Sequence, residues 1–136
     1  MTEPGPQEAF VHLMVAMATA DGTISDKELR ELGDLLRTLP VFDGFEMQRL
    51  DEIARHCGEL LAQEDGLDRI IANVMAAVPP RLYETAYALA VEVAASDVAA
   101  TQPELRFLEM MRDGFELDRL VSGAIEHSAR VRYRRL

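Results

Sequence analysis

The sequence has 136 residues, a length that suits one domain with a core large enough to fold without a disulfide or a metal staple. Its 24 acidic and 14 basic side chains leave a net charge of −10 at pH 7, which argues against nucleic acid as the main partner, because phosphate binding needs a basic surface. One cysteine, Cys57, excludes an internal disulfide and fits a reducing, cytoplasmic setting.

The first residues, Met1 to Pro6, are acidic and interrupted by proline; they lack a basic start and an apolar stretch, so no signal peptide is expected. Helix one is expected from about Gln7 to Ala20, starting after Pro6, whose fixed φ suits a first turn. Its apolar residues, Phe10, Val11, Leu13, Met14, Val15 and Met17, cover most of the circumference, which predicts a buried, central helix. Ser25 caps helix two, with Glu28 three residues on as a capping box. Leu29, Leu32, Leu35 and Leu36 share one face of that helix, which stops before Pro40. Helix three is expected from about Phe45 to Ala62 and helix four from about Gly66 to Val78, where Pro79-Pro80 ends it. Helix five runs from that pair to about Ala95 and is apolar almost all round. Thr101 caps helix six, Gly114 ends it, and helix seven runs from about Glu116 into Arg130, Arg132, Arg134 and Arg135. Strand alternation is nearly absent, so the fold class is all-α. Neither Ala9–Ala20 nor Thr85–Ala95 is long enough to span a bilayer, and they contain His12 and Glu92.

The chain repeats itself. A shift of 76 residues places Ala18, Asp21, Glu28, Leu29, Arg30 and Leu32 on Ala94, Asp97, Glu104, Leu105, Arg106 and Leu108, and the cap Ser25 on Thr101. A shift of 70 places Asp43-Gly44-Phe45-Glu46 on Asp113-Gly114-Phe115-Glu116. Two matches in order, with the gap between them in a loop, favour a duplicated three-helix unit. The organisation is one domain over 1–136, with repeat one at about 7–62, a connecting helix at about 66–78 and repeat two at about 80–128. Two copies form a closed globule of about seven helices rather than a solenoid.

The most specific local pattern is Ala20-Asp21-Gly22-Thr23-Ile24-Ser25-Asp26-Lys27-Glu28. It has the spacing of the second half of an EF-hand loop, but the first and third ligand positions would be Met17 and Thr19, and methionine offers calcium no oxygen. An apolar helix, then Ala-Asp-Gly-x-Ile-Ser-x-x-Glu, then an amphipathic helix, with a second such unit later, resembles the TerB tellurite-resistance family from about Phe10 to Leu120. The terminal Ala129-Arg130-Val131-Arg132-Tyr133 resembles the tail of short bacterial members. The resemblance implies an all-helical seven-helix fold with acidic residues around two loops. It also implies divalent-metal binding, a role in stress-response complexes near the membrane, and no catalytic reaction. Residue by residue, the acidic positions match Asp21 and Glu28 in the first copy and Asp97 and Glu104 in the second. The second loop departs from the pattern, since Val98 stands where a glycine would permit a tight turn.

Each candidate ligand has a plainer role beside it. Glu28 and Glu104 sit where capping-box glutamates belong, and Asp21 and Asp97 suit turn amides at a helix start. Four carboxylates from two adjoining loops would instead make a hard-cation site of the calcium or magnesium type. For His12 and Glu92, a structural pair or exposure at a helix edge is preferred to acid–base chemistry, because no nucleophile accompanies them. Cys57 is read as a small core residue, and no residue is assigned a catalytic role. The arginine tail contrasts with a body of 10 basic against 24 acidic side chains, −14. Its arginines are read as solvated cations at a helix end, with a weak contact to anionic lipid headgroups as the functional alternative. The combined expectation is a non-enzymatic interaction module with a protein partner, in the cytoplasm or at the inner face of the membrane, with a divalent cation in the twin loops. The alternatives are a scaffold whose loops only cap helices and, further off, a small metal-dependent enzyme.

Overall fold

The computed structural model describes residues 4–20, 24–96 and 100–136, and among these residues there are seven α-helices and no strand. They are α1 (Pro6–Ala18), α2 (Asp26–Thr38), α3 (Leu50–Leu61), α4 (Gly66–Ala77), α5 (Tyr83–Ala95), α6 (Gln102–Gly114) and α7 (Arg119–Arg132). The axis of the fold is α1, buried without a break from Ala9 to Ala18. It packs against α3, α4 and α5, so every side of the helix needs an apolar residue. Helix α5 plays the same part in the second half, lying against α1, α6 and α7. Phe10, Tyr87, Phe107, Leu13 and Met14 are among the largest fully buried side chains.

Three helices start later than the periodicity predicts. Pro79-Pro80 leads into a 3₁₀ turn at Pro80–Leu82, and α5 begins only at Tyr83. Phe45 does not open α3. Its ring lies edge-on to Phe42, 6.1 Å away, and Phe42 is edge-on to Phe10 at 6.3 Å. The chain reaches that position through Gly44 at φ 78°, a left-handed conformation glycine takes without strain. A short 3₁₀ turn at Met47–Arg49 follows, and only then does α3 begin. Glu116 likewise does not open α7. It has φ 52°, and Asp118 caps the helix by accepting the Leu120 N–H at 2.7 Å.

The expected pairing of His12 with Glu92 does not form, nor is His12 at an exposed edge. His12 is 4% exposed, and among the described residues neither ring nitrogen has a hydrogen-bond partner. Glu92 instead accepts from Arg132 Nη1 and Nη2 at 2.9 and 2.7 Å and from the Tyr133 hydroxyl at 3.1 Å. Burial depresses the His12 pKa from its ordinary 6.5; the charge of Glu8 opposes that shift and His56 adds to it. The native state therefore holds His12 neutral at a pH where the unfolded chain takes up a proton. Stability is complete above about pH 6.5 and falls as the pH drops below it. Urea titrations between pH 7.5 and 5 should show this slope, and His12→Leu should flatten it; an unchanged slope in the variant would refute the assignment.

Candidate functional site

Helices α2 and α6 begin with the same device. Ser25 and Thr101 are extended, at φ −85°, ψ 163° and φ −81°, ψ 164°. The Ser25 hydroxyl accepts the Glu28 N–H at 3.1 Å, and Glu28 Oε1 accepts the Ser25 N–H at 3.1 Å. In α6 the Thr101 hydroxyl accepts the Glu104 N–H at 3.3 Å, and Glu104 Oε1 accepts the Thr101 N–H at 2.9 Å. Each box satisfies two backbone donors at a helix start, and such an N-cap contributes about 1 kcal/mol. The two glutamates differ in burial: Glu28 is half-buried, whereas Glu104 is 1% exposed.

Asp21 and Asp97, the other two candidate ligands, lie outside the described residues. Among the described residues no group of three or more His, Cys, Asp or Glu side chains is placed to hold a metal ion. A cation site at the loops therefore depends on the aspartates. Capping uses one oxygen of Glu28, and a carboxylate has about four lone-pair sites, so the donor chemistry there suits a hard cation. The helix ends that lead into the loops approach each other. Ala18 at the end of α1 and Ser96 just after α5 line one groove, together with Glu28.

That groove, of about 430 Å³, runs between α2 and the end of α5. Sequence reasoning missed it, because it arises from how helices distant in the chain pack. Tyr133 closes one side, held there by the same Glu92 that grips Arg132. Arg132 is thus steadied by the acidic body, while Arg130, Arg134 and Arg135 are exposed. No helix among the described residues is long and apolar enough to cross a membrane.

A second polar cluster also escaped the sequence reading. The Tyr87 hydroxyl donates to Glu126 Oε2 at 2.5 Å and accepts from Arg112 Nη1 at 2.8 Å, and Arg112 bridges Glu126 at 3.2 Å. The cluster ties α5, α6 and α7 together. Burial, followed by the hydrogen bond to Glu126, pushes the Tyr87 phenol up to about 12. Burial also pushes the Cys57 thiol up to about 12, and its Sγ donates to the His12 carbonyl at 3.3 Å. Neither group is a nucleophile near neutral pH. Tyr87, Arg112 and Glu126 are 39, 25 and 14 positions apart, and only Tyr87, a polar group on the apolar α5, left a signal in the sequence.

No curated protein and no solved structure is similar enough to the chain to be matched. The family model described as tellurite resistance protein TerB matches residues 7–126. That span takes in α1 from its second residue, α2 to α6 complete, the first eight residues of α7 and both capping boxes. The all-helical architecture of seven helices among the described residues is what the TerB resemblance implied, and the chain belongs to the TerB family.

Proposed function

We propose that the chain is a non-enzymatic TerB-type interaction module whose twin acidic loops take a hard divalent cation. The observation that carries this reading is the shared groove: the ends of α1 and α5, where the two loops leave, come to one side of the molecule beside Glu28. Asp21 and Asp97 are the principal donors in this reading. Glu28 adds the oxygen its cap does not use, and Glu104 serves chiefly as the cap of α6. An all-oxygen donor set suits calcium or magnesium. The description of the family gives tellurite resistance as the setting in which a partner is to be sought.

The test is a melting curve of the full chain with and without calcium or magnesium. A cation at 100 times its dissociation constant stabilises a native site by about 2.7 kcal/mol. Asp21→Ala should abolish more of the shift than Asp97→Ala, because Gly22 permits a tight first loop that Val98 resists in the second. If the parent shows no shift with either ion, the loops only cap helices and the cation reading fails. Equal losses from the two variants would refute the asymmetry.

A further inference from the structure

Three of four matched positions 76 residues apart differ in burial between α2 and α6. In α6 the stripe Glu104, Phe107, Leu108 and Met111 is buried. Helix α4 packs on α6; beside the end of this stripe, a Cβ added at Gly114, one turn beyond Met111, would stand 3.1 Å from Ile71 of α4. The matching positions in α2 are Glu28, Glu31, Leu32 and Leu35. They are not covered by a connecting helix. They line the groove instead: Glu31 is exposed, Glu28 and Leu35 are half-buried, and Leu32, 3% exposed, lies in its floor. Among the described residues, the α6 stripe is therefore buried at all four positions, whereas the α2 stripe is buried at Leu32 alone.

The groove has the make-up of a helix-binding surface. Leu35 and the floor residues Ala18, Leu32 and Val93, each 8% exposed or less, supply apolar contact. Glu28, Glu31, Asp34 and Glu92 supply acidic groups, of which Asp34 lies 3.2 Å from Arg37 and Glu92 is held by Arg132, and none of the described lining residues is basic. From Glu28 to Thr38 the face runs ten residues, about 15 Å at 1.5 Å per residue, which matches about three turns of a partner helix. The protein itself shows which charge the rim accepts, since Arg132 makes two hydrogen bonds to Glu92 at its edge. We infer that this groove receives a basic amphipathic helix of a partner protein, its apolar stripe on Leu32, Leu35 and Val93 and its arginines or lysines on Glu31 and Asp34. Helix-in-groove recognition of this kind reads anchors spaced i, i+3, i+4 and i+7. Acidic rims set orientation and association rate more than affinity. The assignment deepens the interaction-module reading and is independent of the cation.

The probe is a labelled peptide of about 14 residues, long enough for the three-turn face, with leucines at i, i+3, i+4 and i+7 and arginines flanking them. A scrambled peptide of identical composition but no apolar stripe controls for plain attraction to an acidic chain. The first peptide should bind the full chain about tenfold more tightly than the second. The double variant Glu31→Lys, Asp34→Lys, at two exposed positions, should remove that preference while leaving the melting temperature unchanged. Amide shifts on peptide addition should fall on α2 and the end of α5. Equal binding of the two peptides, insensitivity to the double variant, or shifts on another face would overturn the groove assignment. So would a concentration-dependent dimer broken by the double variant, because the occupant would then be a second copy of the chain. The cation titration judges the cation reading separately, so the two can fail independently.

Discussion

Phe10→Ala should lower the free energy of unfolding by about 3–5 kcal/mol, measured by urea denaturation at neutral pH. Phe10 is fully buried, and its ring anchors the edge-on series through Phe42 to Phe45 that holds the chain between α2 and α3. It sits on α1, which is packed by three other helices at once. No single neighbour can collapse into the space without leaving its own contacts, so the cavity persists and the cost lies toward the upper end. A domain of this size is stable by about 5–15 kcal/mol, so the loss is a large fraction of the total. Leu120→Ala is the control: Leu120 is 84% exposed and should change stability by less than about 0.5 kcal/mol. A loss below about 1 kcal/mol at Phe10, well under the about 3–5 kcal/mol typical of a buried phenylalanine, would show that the ring is not a core element.

Gly66→Ala and Gly58→Ala should have opposite signs. Both glycines are in helices, and helix propensity alone favours alanine by about 1 kcal/mol. Gly58 is exposed in the middle of α3, with nothing within 4 Å of an added Cβ, so its substitution should stabilise. Gly66 opens α4 where the chain has turned back on the end of α3. An added Cβ there would stand 2.4 Å from the Leu60 carbonyl oxygen and 2.9 Å from the Leu61 Cα. Both are backbone atoms, and the Leu60 carbonyl is also fixed by accepting the Gln63 N–H at 3.1 Å. The joint between α3 and α4 must open, at a cost of about 1–3 kcal/mol or more. Denaturant midpoints for the two variants falling on the same side of the parent would contradict this packing.

The parts of the fold that were legible in the sequence are those set by local spacing. Ser25 with Glu28 and Thr101 with Glu104 are three residues apart, so each capping box could be read directly and each is formed. The all-round apolar character of α1 and α5 likewise announced their central position. What depends on distant packing was not legible. Phe45 continues a helical pattern on paper, yet its ring is taken by Phe42, and nothing in a glutamate signals the left-handed backbone of Glu116. His12 reads as polar but is enclosed by the helices around α1, and the partner of Glu92 is 40 positions away at Arg132. The candidate site was half legible. The glutamates are where the repeat put them, whereas the groove between α2 and α5 depends on α4 lying over α6 and has no counterpart in any short stretch of sequence.

On the duplication reading, that placement of α4 has a consequence for descent. A fused pair has two equivalent faces but only one connecting segment, so the symmetry is broken as soon as the copies are joined. The covered face becomes subject to packing, and the residues there, Phe107 and Met111, are confined to apolar types of fixed volume. The uncovered face is released from that constraint, and Glu31 and Leu35 at the same register are free to change under selection for a ligand. Divergence between relatives should then concentrate on the outer stripe of α2 and spare that of α6. One copy would keep the molecule folded while the other explores new partners.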